Sequence, residues 1–185
     1  MINRAQEKAK RLEQIKGEEV LCELSDLYTN GIKFIEPSDL SGSLKGRQNV
    51  YNHLDMMIKN AKKSAVIVTT ADGLNRKFEA LKSTLEKAKK RGVSVRIAAE
   101  ITEDNIKVAK DLSKVAEVRA VKKSHGRFAI IDDDQMMFLL LDDKEVHPNY
   151  DVGVWLTSEF FAGSLSQMFD SAWKDFSPLG KVKRK

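Results

Sequence analysis

One cysteine in 185 residues rules out an internal disulfide framework, since Cys22 has no partner within the chain. That usage fits a reducing cytoplasm, and Cys22 itself reads as a small buried hydrophobe. No apolar run approaches the roughly 20 residues that a membrane span needs. The first residues, Met1-Ile2-Asn3-Arg4-Ala5-Gln6-Glu7-Lys8, are charged and helical in character, which is not the pattern of a secretory signal. The chain has no internal repeat and no low-complexity segment. Its His, Cys and Asp residues show no metal-ligand spacing, and no cofactor is expected.

What is present is the composition of a soluble globular protein, 42% hydrophobic and 32% charged. The length suits one domain of ordinary size plus an appendage. The net charge of +5 is unevenly spread, because the last five residues include Lys181, Lys183, Arg184 and Lys185. Such a tail can touch nucleic-acid phosphates, but it reads better as a solvated, disordered end.

Residues 2–28 read as one helix. Ile2, Ala5, Ala9, Leu12, Ile15, Val20, Leu24 and Leu27 recur at mostly three- and four-residue steps, with a register shift near Lys16-Gly17. A stripe this narrow suits a coiled coil, and hence a homodimer. Residues 32–46, with Pro37, Ser38, Gly42 and Gly46, read as a connecting loop. Val50, Leu54, Met57, Ile58 and Ala61 then predict an amphipathic helix from Arg47 to about Lys63. A regular alternation follows: strand 65–70, helix 74–91, strand 93–99, a helix beginning near Thr102 and Asn105, and strand 116–121. Strands 127–131, 135–141 and 152–157 come next, with Asp132-Asp133-Asp134 as a hairpin turn. Ser158 caps a final helix, 159–175, whose apolar side is Phe160, Phe161, Leu165, Met168, Phe169 and Trp173. This order predicts an α/β domain, a mixed β-sheet layered between helices. The expected divisions are an N-terminal helix at 1–30, the α/β domain at 31–176 and a basic tail at 177–185.

The segment richest in chemistry is His125-Gly126-Arg127-Phe128-Ala129-Ile130-Ile131-Asp132. Residues two apart on a strand face the same way, so His125 and Arg127 can address one ligand. Lys122, Lys123 and Ser124 precede them and make the spot favourable to anions. Asp132 lies off their parity, better placed for the turn than for a pocket. Thr69 and Thr70 stand where the first strand of the alternation feeds its helix, the usual ligand side of an α/β sheet, though turn and cap roles explain them equally. Trp155 and Trp173 read as core residues, and His53 as a surface one.

The segment resembles the H-x-K-x4-D signature of the phospholipase D superfamily, in which the histidine attacks phosphorus and the lysine holds the phosphate. Carried across, the resemblance makes His125, Arg127 and Asp132 the catalytic candidates of a homodimeric phosphodiesterase or nuclease. Three departures count against activity. Arg127 replaces the lysine, the apolar run Met136–Leu141 stands where catalytic members carry a Gly-Ser and Asn element, and only one motif is present.

A second resemblance is wider. Gly31-Ile32-Lys33-Phe34-Ile35-Glu36-Pro37 with Gly46-Arg47-Gln48-Asn49-Val50-Tyr51 resembles the linker to the effector domain of archaeal regulators of the TrmB type. Asp151-Val152-Gly153-Val154-Trp155, Phe160-Phe161 and Phe169-Asp170-Ser171-Ala172-Trp173 resemble the C-terminal half of that domain. The resemblance implies a phospholipase D-like fold without catalysis that senses a small or anionic ligand and dimerises. Under it His125, Arg127 and Asp132 become pocket candidates rather than catalysts; together with the residues read above, the expected ligand-binding set is Ser124, His125, Arg127, Thr69 and Thr70. Residues 1–28 cannot form a winged helix, so DNA contact would come only through a missing or separate domain.

Overall fold

The computed structural model describes residues 19–29, 36–123 and 126–179, in two compact units that divide between Pro37 and Ser38. In the first, helix α1 (Glu19–Thr29) exposes Leu21, Leu24 and Tyr28 at three- and four-residue spacing. Cys22 is exposed rather than buried, because the described part of this unit is a single helix with no second layer. Residues 1–18 of the expected long helix and 180–185 of the expected tail lie outside the described residues, while the tail's first residues, Ser177 and Pro178, form a short strand.

The second unit runs, after a short helical turn (Pro37–Leu40), through β1 (Ser41–Lys45), α2 (Arg47–Asn60), β2 (Ser64–Thr69), α3 (Ala71–Lys90), β3 (Ser94–Glu100), α4 (Ile106–Leu112) and β4 (Glu117–Val121). It continues with β5 (Arg127–Ile131), β6 (Gln135–Leu139), a 3-10 turn (Pro148–Tyr150), β7 (Val152–Thr157), α5 (Glu159–Trp173) and β8 (Ser177–Pro178). The strands make one sheet in the order β1-β7-β6-β5-β2-β3-β4-β8. β2, β3 and β4 are parallel, as the intervening helices require, and every other pairing is antiparallel. The expected mixed sheet between helices is thus the fold.

β2 shows why its apolar run forms a central strand. Ala65 and Ile67 point into the layer built by α2, α3 and α4, with Leu54, Ile58, Leu81, Leu85 and Leu112. Val66 and Val68 point the other way, against Ala162, Phe169 and Trp173 of α5. With both faces covered, a strand reads as continuously hydrophobic rather than alternating.

Four elements differ from the sequence expectation. β1 falls inside the expected loop, because Ser-Gly-Ser-Leu-Lys is a half-exposed edge strand whose pattern carries no apolar alternation. β6 stops at Leu139, leaving Leu140 and Leu141 exposed. α4 begins only at Ile106; Asn105 turns inward, its amide donating to the carbonyls of Glu100 and Ala71. α5 buries only part of its apolar set: Phe160 is 87% and Met168 69% exposed, since a single helix face cannot turn all six residues toward the sheet.

The hairpin between β5 and β6 carries Asp132 and Asp133 in the left-handed region, at φ 54° and 61°, which Asp tolerates better than most residues. Asp132 also binds across the fold. Its carboxylate accepts from the backbone N–H groups of Lys62, Lys63 and Ser64 at 2.7–2.8 Å, pinning the end of α2 to the start of β2. Burial opposes its ionisation, but the three N–H groups outweigh that and hold its carboxyl below the ordinary value. Asp132→Ala should therefore cost about 1–3 kcal/mol in urea unfolding at pH 7. A carboxyl with a depressed folded value stabilises above its unfolded value and loses that contribution on acidification. The wild type should accordingly lose stability as pH falls below about 4, and Asp132→Ala should lose less over that range.

Candidate functional site

The first residue of β5, Arg127, sits deep in the protein at 4% exposure. Its guanidinium grips Asp151, itself fully buried, through Nη1–Oδ2 at 3.1 Å and Nη2–Oδ1 at 2.8 Å, and Nη2 also donates to the Leu141 carbonyl. Arg47, at the start of α2, donates its Nε to the same carboxylate at 3.1 Å. Burial works against ionisation of Asp151, but the bonds and charges of Arg127 and Arg47 prevail and hold its carboxyl below the ordinary value.

A second buried pair lies beside the first. The carboxylate of Asp143 accepts from the Thr70 hydroxyl at 2.7 Å and pairs with Arg76 of α3. Thr70 is also the N-cap of α3, accepting from Gly73 N–H at 3.0 Å. Gly73 has no room for a side chain, since a Cβ there would stand 2.3 Å from Thr69 Oγ1. That hydroxyl accepts from Lys77 Nζ at 2.9 Å, and the Lys77 ammonium lies 5.3 Å from the Tyr51 ring centre.

Lys77 is only 5% exposed. Burial, reinforced by the charge of Arg127, lowers its value from 10.5 to about 7. The cluster thus assembles four cations, Arg47, Arg76, Lys77 and Arg127, around two carboxylates. Above it, α2, α3 and residues 148–149 border a groove of about 940 Å³ lined by Arg47, Arg76, Tyr51, Asn52 and Asn149 among others. No group of three or more His, Cys, Asp or Glu converges among the described residues as a metal site would require.

Of the residues singled out in the sequence, Thr69, Thr70 and Arg127 come together in this cluster. Ser124, His125, Lys181, Lys183, Arg184 and Lys185 lie outside the described residues. Asp132 is at the far end of β5, in its turn. His53, expected at the surface, is half-buried and stacks on Trp155 at 5.5 Å. Sequence reasoning missed Arg47, Arg76, Lys77, Asp143 and Asp151 as members of the site. Lys77 did carry a signal: it interrupts the apolar stripe Leu74, Leu81, Leu85 at helical spacing, where a cation must be buried or displaced.

The sheet order and the buried motif cation define a phospholipase D-like fold, and solved structures agree. The chain is similar to Nuc of Salmonella typhimurium, a phospholipase D family member, with TM-score 0.59 and 16% identity over 78% of this chain and 99% of that one. It is similar to NucT of Helicobacter pylori with TM-score 0.55 and 16% identity over 75% and 98%. It also matches TrmBL2, described as an archaeal chromatin protein with a novel mode of DNA binding, with TM-score 0.59 and 20% identity over 96% of this chain and 68% of that one. Likenesses at these identities establish the fold. No curated protein matches the sequence. Residues 43–176 match the family model described as "Transcriptional regulator TrmB, EBD N-terminal subdomain", and the chain belongs to that family.

Lys77 supplies a prediction. The unfolded chain keeps this proton up to about pH 10.5 while the folded chain releases it near 7, so stability should rise with pH between those values. The slope contributed is on the order of 1 kcal/mol per pH unit. Lys77→Met should flatten that rise in denaturant titrations run from pH 7 to 10.

Proposed function

We propose that this chain is a non-catalytic effector-binding and dimerisation domain of a TrmB-type transcriptional regulator. The observation that carries the reading is the commitment of Arg127. In the phospholipase D signature the cation at this position holds the substrate phosphate. Here it holds Asp151, and a bidentate pair buried on both sides leaves that guanidinium no outward donor pair for a phosphate. A cationic cluster under an open groove instead suits reversible binding of a small molecule. In this reading Thr69, Thr70 and Arg127 belong to the wall beneath the ligand, and Ser124 and His125 are further candidate contacts. The N-terminal helix joins two copies and passes the ligand state to a separate DNA-binding domain. The tail cations Lys181, Lys183, Arg184 and Lys185 add at most unspecific phosphate contacts. A soluble cytoplasmic regulator needs no membrane span, and no helix among the described residues is long and apolar enough to be one.

The test is hydrolysis of bis(p-nitrophenyl) phosphate by the wild type, His125→Ala and Arg127→Lys, with sedimentation of each. The reading expects dimers with no turnover above the buffer rate in any of the three. Arg127→Lys should also lose about 1–3 kcal/mol of stability, since an ammonium cannot match the bidentate bond. Turnover by the wild type that disappears in His125→Ala would establish the homodimeric phosphodiesterase instead.

A further inference from the structure

The groove over the charged cluster is bordered at one end by the start of α2, and its chemistry there is one-sided. Gly46 occupies the N-cap at φ 91°, a conformation that disfavours any residue with a Cβ, and so offers no side chain to the helix. No side-chain hydrogen bond caps α2, and its first turn holds no acidic residue. The first backbone N–H groups of a 14-residue helix therefore meet the groove with the positive end of its dipole. Two other helices are closed differently: α3 and α5 have hydroxyl caps at Thr70 and Ser158 and acids in the first turn, whereas the short α4 also lacks a side-chain cap. Arg47 and Arg76 line the same groove, their side chains 13% and 30% exposed.

Three further observations show that this positive charge is not cancelled from within. The cluster has three arginines for two carboxylates, because Arg47 and Arg127 share Asp151 while Arg76 pairs with Asp143, and Lys77 adds a partial charge near neutral pH. Two residues of the lining, Arg76 and the 6% exposed Tyr51, carry buried polar atoms, Arg76 Nε and the Tyr51 hydroxyl, that have no hydrogen-bond partner. Of the two lining carboxylates, Asp55 is already bonded to Lys59 at 2.5 Å and to Thr84, which leaves Glu79 as the local counterweight. Gln48, Asn49, Asn52 and Asn149 complete the lining with amides able to bond hydroxyl groups. A volume of about 940 Å³ admits a small metabolite.

We infer that the groove between the start of α2 and Arg76 is a binding site for a small phosphate ester bearing hydroxyl groups. The phosphate sits against the uncapped amides of α2 between Arg47 and Arg76, and the hydroxyls meet the amide side chains. This rests on the effector-binding reading for its biological use and specifies the ligand class for it. The site differs from that of the phosphodiester signature, whose cation, Arg127, is turned inward. An anion there would also favour the charged form of Lys77 below, so binding should take up protons near neutral pH.

The experiment uses the whole chain with three probes, inorganic phosphate, glycerol 3-phosphate and glycerol, followed by calorimetry in two buffers of different ionisation enthalpy. The variant is Gln48→Glu, an exposed substitution in the first turn of α2. A carboxylate there complements the helix dipole, so its melting temperature should hold or rise while phosphate is repelled. Expected are binding of both phosphate-bearing probes, tighter for glycerol 3-phosphate, no binding of glycerol, and a loss of tenfold or more in Gln48→Glu. Equal binding to the wild type and a folded Gln48→Glu would place the anion elsewhere and overturn the inference. Failure of both phosphate probes would overturn it too. The effector reading would survive either outcome, since it falls only to His125-dependent turnover.

Discussion

Asp151 binds the two sides of the domain to each other. It stands just before β7, takes both outer nitrogens of Arg127 from β5 and the Nε of Arg47 from α2, and is fully buried. Its own carbonyl accepts from Gly46 N–H at 2.7 Å, which sets the start of α2. One carboxylate thus fixes a strand pair, a helix origin and the rim of the groove. Burying a charge this deeply costs several kcal/mol, and the arrangement is stable only because both partners are fully bonded. Removing either would leave the other charged and unsolvated. The neighbouring pair of Asp143 with Arg76, and Lys77 on Thr69, depend on the same low-dielectric setting.

The same frame can carry either a phosphodiesterase or a binding domain, and local electrostatics separates the two. A cation free to face outward at the start of β5 would make a phosphate grip. A guanidinium saturated from within becomes part of the wall. Positive charge is available instead in the groove formed by α2 and α3, which Arg47 and Arg76 line. In the proposed reading, the site holds an anion and lets it go rather than attacking phosphorus.

The sequence declares what periodicity can declare. Ala65–Thr70 marks β2 because both its faces are buried, and Leu74, Leu81 and Leu85 mark α3 because one face is. The acidic triplet at 132–134 marks the hairpin. β1 is illegible because an edge strand of Ser, Gly and Lys is made by its partner β7, not by its own pattern. Phe160 and Met168 mislead because hydrophobicity does not say which residues of an apolar helix find a surface. At the site, the chemistry of His125, Arg127 and Asp132 is written in a contiguous motif. The partner that alters its meaning, Asp151, is 24 residues further on. Asp143 and Lys77 join through tertiary structure that no local spacing encodes.

The claim that the motif cation belongs to the scaffold is tested most directly by a double-mutant cycle on Arg127 and Asp151. Denaturant unfolding would be measured for the wild type, Arg127→Met, Asp151→Asn and the double variant. The account predicts that each single change costs several kcal/mol, and that the double costs far less than their sum, a coupling of about 2 kcal/mol or more. Additive losses would contradict it, because they would mean that Arg127 does not depend on Asp151 and stands free for a ligand.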